Sequence, residues 1–348
     1  MAKQNHIIVI PIFNLVLGKN IQKEIKIGDI TFIEKNKLIR CRRRFGYDKP
    51  LSEIGKKFKN TNFELLKSSK TYAVLKYNID PKVSMAEPMA KIREAIWILA
   101  SEQFGHRRNI QRFGFPEYAK RHLSDSFLYN KITKRINVNF KADNVIHHSI
   151  IRKWSDVRGY HFFPNALKII NGELPVHKDW QMDIKKAVIL CGKSIFSSEL
   201  SEAFLNNMIA LETLLTDKEK GESHLEKLKN RLNALFHWYF SQTGQNWDNK
   251  INRIYKLRCN MVHDGEIKNI NTEDLLDSDD ILKNLLLNIV NATKVLKQKS
   301  DLVQLAKEYE ASQVLGIKFK TKMKGMIVSS SHSQKDIEKI KKENNWER

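Results

Sequence analysis

The sequence has few cysteines and no long apolar run, and each of these features excludes some classes of protein. The chain of 348 residues holds three cysteines, Cys41, Cys191 and Cys259, far apart and without a C-x-x-C pair. This spacing predicts neither a disulfide framework nor a zinc site, and it favours a reducing cytoplasm. No apolar run reaches the roughly 18 residues that a membrane-spanning helix needs, so we expect no membrane association.

Two further motifs are missing, and we therefore expect no cofactor. The pair His147-His148 has no carboxylate or cysteine at ligand spacing, so no metal site is predicted. No glycine-rich phosphate loop occurs, so a nucleotide hydrolase is not indicated. The apolar segment 7–17 contains Pro11 and Asn14 and lacks a small-residue cleavage site. It predicts a buried strand rather than a signal peptide.

Positive charge is abundant and unevenly distributed. The formal net charge is +22. Residues 1–200 contain 37 Lys and Arg against 18 Asp and Glu, whereas residues 201–348 contain 24 against 21. Solvated lysines scattered over the whole surface would be spread more evenly. The imbalance favours a polyanion-binding surface in the N-terminal half.

The apolar pattern predicts an α+β protein, with an N-terminal α/β domain followed by an all-α antiparallel helical bundle. We assign residues 1–178 to the basic first domain, 179–315 to the bundle, and 316–348 to a basic strand and charged tail. The predicted strands of the first domain are 6–17, 26–34, 38–40 and 71–77, and a predicted helix covers 85–104. The predicted helices of the bundle are 180–194, 198–216, 223–240, 247–263, 277–297 and 301–314.

Lysines alternate with other residues over 316–330, at every second position from Lys318 to Lys324. A period of two predicts a strand with one lysine face. Such a face either follows phosphates or protects an edge strand from aggregation, and we prefer the second interpretation.

RNA cleavage without a metal ion needs a proton carrier near neutral pH and a permanent cation, which histidine and arginine supply. Arg258 and His263 provide both on one predicted helix, whose core-facing stripe is Ile254, Leu257 and Met261. Five residues place the two side chains about 140° apart around a regular helix. The pair therefore needs a helix end, which Asp264-Gly265 predicts, and a twofold dimer to converge on one phosphate.

Spacing alone is a weak signal, because Arg231 and His237 form a second, similar pair. The surrounding sequence distinguishes the two copies, since three segments resemble helices of the Apea-like HEPN domain family. Glu212 lies in Ala-Leu-Glu-Thr-Leu-Leu within residues 203–215, and residues 225–236 are similar to the next helix. Residues 251–265 carry the family's arginine–histidine motif, with four to six residues between its members, and end in Val-His-Asp-Gly. The resemblance covers roughly 180–300, about a third of the chain.

This resemblance implies an all-α domain that dimerises and cleaves RNA without metal, often in phage defence, abortive infection or toxin–antitoxin systems. It implies RNA, a second copy of the chain, and an antitoxin or phage-derived trigger as partners. Arg258 and His263 match the family's catalytic positions, and Glu212 matches its acidic position. Many members carry a polar residue directly after the arginine. Here that residue is Cys259, so it stays open whether the next residue, Asn260, takes the polar role.

Structural interpretations compete with these roles. Arg258 forms an ion pair with Glu212 across the bundle in one alternative, and His263 caps the last carbonyl groups of its helix. Tyr255, one turn before Arg258, either stacks on a base or packs in the protein. Arg231 and His237 match no family position and are interpreted as structural.

Two N-terminal segments interleave basic and aromatic residues, as single-stranded RNA-binding surfaces do. In the alternative interpretation the rings face the core and only the arginines are exposed. The candidate RNA-binding arginines are Arg40, Arg42, Arg43, Arg44, Arg107, Arg108 and Arg112.

The sequence thus predicts a metal-independent endoribonuclease with a basic domain that binds RNA or senses a trigger. One alternative is a non-catalytic RNA-binding or scaffolding protein that keeps the bundle for dimerisation. A second is a DNA-binding regulator, which the basic half alone permits.

Overall fold

The chain folds as a mixed α+β protein, with a small antiparallel sheet near the N terminus followed by helices, and this class confirms the prediction. The protein is seen here in a computed structural model. The structure describes residues 4–18, 23–46, 69–79, 85–104, 112–115, 126–129, 136–139, 148–150, 156–157, 160–217, 222–244, 246–265, 269–320, 323, 325, 327–328, 333–344 and 346.

The chain divides into two compact units. Residues 1–93 and 111–151 form the first, called the N-terminal unit, and residues 94–110 and 152–348 form the second, called the helical unit. This division differs from the predicted boundary at residues 178 and 179. A single helix, Ala86–Ala100, contributes its first half to one unit and its second half to the other.

The sheet of the N-terminal unit has four antiparallel strands in the order β1, β5, β4, β3. Alternating side chains of β4 and β5, among them Ile33, Tyr72 and Val74, form a core cluster on one face. Short strands pair outside this sheet, β2 with β8 in parallel, β6 with β7 and β9 with β10 antiparallel. The strands are β1 (Gln4–Ile12), β2 (Leu15–Leu17), β3 (Glu24–Ile27), β4 (Ile30–Glu34), β5 (Thr71–Ile79), β6 (Ser126–Tyr129), β7 (Ile136–Asn139), β8 (His148–Ile150), β9 (Asp156–Val157) and β10 (Tyr160–His161).

The strand predicted over 38–40 is wrong, because these residues belong to helix α1 (Lys35–Cys41). A 3₁₀ turn, Arg42–Phe45, follows and ends at Gly46 in the left-handed region. Leu38 and Phe45 are buried against the sheet cluster. Helical spacing brings both apolar side chains onto the sheet, which a continued strand would not do.

The helical unit contains most of the helices, and those of the predicted bundle lie within a few residues of their predicted bounds, except one. The helix expected over 277–297 occupies Thr272–Asn291, since Asn271 and Asp274 form a capping box five residues earlier. After α1, the helices are α2 (Ala86–Ala100), α3 (Phe162–Ile170), α4 (Lys178–Phe196), α5 (Leu200–Leu215), α6 (His224–Thr243), α7 (Asp248–His263), α8 (Thr272–Asn291), α9 (Lys299–Leu315) and α10 (Gln334–Asn344).

The strand predicted over 316–330 is not found in the described residues of that segment. Phe319 is buried there, and its ring lies 5.4 Å from those of His237 and Tyr309. Gly325 passes so close to α6 that an added Cβ would lie 2.5 Å from the Leu235 carbonyl oxygen. Packing on α6 and α9 therefore overrides the alternating pattern.

None of the described helices is long and apolar enough to cross a membrane.

Candidate active site

Helix α7 carries the arginine–histidine motif, and its first half is fixed in the helical unit. The Trp247 ring precedes the helix and lies 5.1 Å from Phe236 and 5.5 Å from Phe240, measured between ring centroids. Ile251 and Ile254 are buried. The beginning of α7 is therefore held by apolar packing.

Three ion pairs join α7 to the beginning of α8. Lys250 lies 2.6 Å from Asp277, and Arg253 lies 2.5 Å from Asp277 and 3.2 Å from Asp274. Burial raises the pKa of Asp274, while its hydrogen bond to the Asn271 backbone and the Arg253 charge act in the opposite direction. These contacts were not predicted from the sequence, because they depend on how α7 crosses α8 and no local spacing signals them.

The second half of α7 is less buried than predicted. Leu257 and Met261, expected in the core with Ile254, are only partly buried, and Val262 is 49% exposed. The core-facing stripe is therefore Ile251 and Ile254, and apolar side chains of the last turns remain accessible in a single chain.

Glu212 and Arg258 meet across the bundle. Arg258 Nη2 donates to Glu212 Oε2 at 2.8 Å, and the side chains are 19% and 14% exposed. Arg258 Nε and Glu212 Oε1 are buried and have no hydrogen-bond partner among the described residues. The pair is thus joined at one point, although the guanidinium and carboxylate forks permit two parallel bonds. The alternative interpretation of Arg258 anticipated this contact.

Tyr255 and Cys259 lie beside this ion pair. Burial raises the pKa of Tyr255 most, the charges of Cys259 and Glu212 raise it further, and the Arg258 charge lowers it. A side-chain hydrogen bond between Tyr255 and Cys259 also raises this pKa. We call Glu212, Tyr255, Arg258 and Cys259 the polar quartet. Helical spacing of three and four residues, visible in the sequence, accounts for the side that the three α7 residues share.

His263 lies at the end of α7 and is exposed. The helix stops there as predicted: the Asp264 backbone N–H donates to the Asn260 carbonyl, and Gly265 has a φ of +69°. Because α7 is helical through His263, this side chain lies about 140° from Arg258 around the axis. Asn260, half-buried, is about 200° from Arg258 and faces away from the quartet.

The second arginine–histidine pair is built into the fold. Arg231 is 3% exposed, donates to the Leu215 carbonyl at the end of α5, and pairs with Asp217. His237 lies 5.0 Å from the Tyr309 ring, beside Phe319. Arg231 and His237 are therefore both part of the packing of the helical unit.

The described arginines of the candidate RNA-binding set belong mainly to one turn of the N-terminal unit. Arg44 pairs with Glu24 at 2.6 Å, and Arg42 donates to the Ile39 carbonyl at 2.6 Å. Arg40 and Arg43 are exposed. Half-buried Arg112 belongs to the same unit, whereas Arg107 and Arg108 lie outside the described residues.

The aromatic rings that the structure describes in these two segments are not available for stacking on bases. Phe45, Phe104 and Phe113 are all buried. In the described parts of the two segments, the arginines are therefore the groups that can meet RNA, through its phosphates, and the rings are not.

Comparisons with family models, curated proteins and solved structures found no match to this chain. Within the described residues, no three His, Cys, Asp or Glu side chains are grouped in a way that could hold a metal ion.

Proposed function

We propose that the protein is a metal-independent endoribonuclease whose site combines Arg258 and His263 of two chains. The observation that carries the proposal is the contrast along α7. Arg258 is half-buried and held at a single point by Glu212, while His263 is exposed where the helix ends. A fixed cation and an accessible imidazole are the two groups that this chemistry needs.

In the proposed reaction, the 2′-oxygen of the RNA attacks the adjacent phosphorus, and the bond from phosphorus to the 5′-oxygen breaks. His263 takes the 2′-hydroxyl proton or gives a proton to the leaving 5′-oxygen. Arg258 stabilises the negative charge that develops on the phosphate oxygens. Its guanidinium has five N–H donors, and the Glu212 contact uses one of them. The products then end in a 2′,3′-cyclic phosphate or a 3′-phosphate.

A second copy of the chain is part of this proposal, because Arg258 and His263 lie on different sides of α7. A twofold axis near the end of α7 brings the His263 of one copy toward the Arg258 of the other. The exposed Val262 and the partly buried Met261 supply apolar surface for such a contact. A protein that remains monomeric while it cuts RNA would contradict this arrangement.

The basic N-terminal unit then binds substrate or senses a trigger, and the setting is antiphage defence or a toxin system. Exposed Arg40 and Arg43 support phosphate binding there. The second candidate function is a non-catalytic RNA-binding or scaffolding protein. The Arg258–Glu212 pair favours it in one respect, because an arginine neutralised across a bundle also has a purely structural purpose.

The two functions are separated by expressing the wild type beside Arg258→Ala, with RNA fragmentation, fragment ends and growth measured. If the protein is a ribonuclease, the wild type produces RNA fragments with cyclic or 3′-phosphate ends even in the presence of a chelator. The variant then produces few such fragments. A wild type that binds RNA without cutting it or harming cells supports the binding protein. Cleavage that a chelator abolishes contradicts the metal-free mechanism.

A further inference from the structure

The N-terminal unit collects basic side chains on one face of its sheet. Cross-strand pairing places Lys26 opposite Thr31 and Thr31 opposite Val74, so these three side chains share the face on which α1 packs. Lys76 follows Val74 by two residues on β5 and therefore lies on the same face. Lys26 and Lys76 are both exposed. Neither lysine was predicted to bind RNA, because alternation along a strand does not show which face a helix covers.

The turn after α1 brings an arginine onto this face. Arg44 Nη2 donates to Glu24 Oε1 at 2.6 Å, and Lys37 Nζ lies 3.0 Å from the other carboxylate oxygen. Glu24 pairs with Ile33, a member of the sheet cluster, so this carboxylate belongs to the same face. The Arg44 carbonyl accepts a hydrogen bond from Lys76 Nζ at 3.5 Å. Arg44 is thus joined to the edge strand β3 by its side chain and to β5 by its backbone.

The resulting surface is positively charged over more than one nucleotide. We call it the basic face, and its members are Lys26, Lys37, Arg40, Arg43, Arg44 and Lys76. Glu24 pairs with two of these six cations and neutralises one charge. Lys26 and Lys76 lie two strands and two residues apart, which separates their Cα atoms by about 12 Å. This span exceeds the rise of one nucleotide, so the basic face can contact several phosphates.

The aromatic rings described in this sheet and turn do not extend the basic face with a stacking surface. Phe45 and Tyr72 are buried in the sheet cluster, and the Arg44 guanidinium lies 4.6 Å from the centroid of the Phe45 ring. Tyr77 follows Lys76 on β5 and therefore lies on the opposite face. Unpaired bases are bound by exposed rings, whereas base-paired RNA is recognised through its phosphates and its shape. The basic face therefore fits base-paired RNA better than a single strand.

We propose that the basic face binds the phosphate backbone of base-paired RNA without reading its sequence. Lysine and arginine contacts to phosphates position a protein on a duplex and carry no sequence information. The binding itself follows from the charges on this face, whereas its purpose, the capture of substrate, rests on the proposed ribonuclease function.

The test measures RNA binding by the full-length chain carrying His263→Ala, so that bound RNA stays intact. The probes are two RNA duplexes of about 20 base pairs with unrelated sequences, one of their single strands, and a DNA duplex of the same sequence. Both RNA duplexes are expected to bind equally, more tightly than the single strand and no less tightly than the DNA.

The double variant Lys26→Gln/Lys76→Gln locates the binding surface. Near physiological salt, each lost phosphate contact weakens binding about fivefold and lowers the slope of log K against log salt by about one. The control is Lys91→Gln, an exposed lysine on α2 whose ammonium lies 4.7 Å from the centroid of the Tyr77 ring on the opposite face. The control is expected to bind as the parent does, and circular dichroism shows that all the variants are folded.

Three outcomes overturn the proposal. If the double variant binds the RNA duplexes as the control does, the basic face is not the site. If the single strand binds more tightly than the duplex, the ligand is unpaired RNA. If the DNA duplex binds more tightly than the RNA duplex, the ligand is DNA.

Cleavage by chains that keep His263 separates this proposal from the ribonuclease function. If both hold, the double variant raises KM and leaves kcat unchanged. A wild type that binds the duplexes at the basic face and never cuts RNA contradicts the ribonuclease alone. A wild type that cuts RNA, with a double variant that binds as the control does, contradicts the basic face alone.

Discussion

The two arginine–histidine pairs of the helical unit have similar spacings and different surroundings. Arg231 is enclosed, and its guanidinium holds the end of α5 through the Leu215 carbonyl and Asp217. Arg258 is more exposed and contacts one carboxylate oxygen of Glu212. His237 lies among aromatic rings, whereas His263 ends its helix in solvent.

Contacts, and not spacing, therefore separate a structural arginine from a candidate catalytic one. Arg231 is 3% exposed and donates to the Leu215 carbonyl and to Asp217, so a ligand cannot reach it. Arg258 keeps donors that no described residue uses. Substitutions of the partner of each arginine, and then of each histidine, test this distinction.

The largest effect on folding is expected for Asp217→Ala. This carboxylate pairs with both Lys227 and Arg231, which are buried, so its removal leaves two buried cations without their counter-ion. Breaking a buried pair in this way costs about 3–5 kcal/mol. Urea unfolding measures the loss, and Asp264→Ala, at an exposed position, is the control. A loss similar to the control would show that the Arg231 pair is not structural.

A smaller loss of stability is expected for Glu212→Gln. Arg258 is partly exposed and can recover hydrogen bonds to water, so the free energy of unfolding falls by about 1–2 kcal/mol. The rate of RNA cleavage falls by more than the loss of folded protein explains, because the neutral amide no longer holds the guanidinium by charge. The measurements are urea unfolding and cleavage rate on one preparation. If the cleavage rate falls only in proportion to the folded fraction, Glu212 has a structural role alone.

The smallest expected effect on stability concerns His263, and His237 is its comparison. His237→Ala removes ring contacts with Tyr309 and Phe319, and each such contact contributes about 0.5–1.5 kcal/mol. His263→Ala changes an exposed side chain and alters stability by less than about 0.5 kcal/mol. Thermal unfolding of both variants measures the difference. If His263→Ala loses more stability than His237→Ala, the distinction between the two pairs does not hold.

Most of the helical unit was predictable from sequence, because its helices are amphipathic and end at recognisable residues. The stop of α7 at Asp264-Gly265 is an example, and the Arg258–Glu212 pair was anticipated as one alternative. The predictions of strands over 38–40 and 316–330 were wrong, because tertiary packing around Leu38 and Phe319 overrides these short patterns. The ion pairs of Arg253 were missed for the same reason: they depend on contacts between helices.

The candidate site was only partly predictable. The motif supplied Arg258 and His263, and the spacing around Arg258 contained the signal for Tyr255 and Cys259, since residues three and four apart share a helix face. The orientation of Glu212 toward Arg258 and the burial of Phe45 are properties of packed elements, which local patterns do not determine.

The most direct test of the central claim is the rate of RNA cleavage by His263→Ala and His237→Ala, each corrected for the folded fraction and measured with a chelator present. Loss of a general acid or base predicts that His263→Ala is about 10²–10⁴-fold slower than wild type. His237→Ala is expected to cut at the wild-type rate per folded molecule. Equal losses in both variants, or wild-type cleavage by His263→Ala, would contradict the assignment of the α7 pair as the catalytic one.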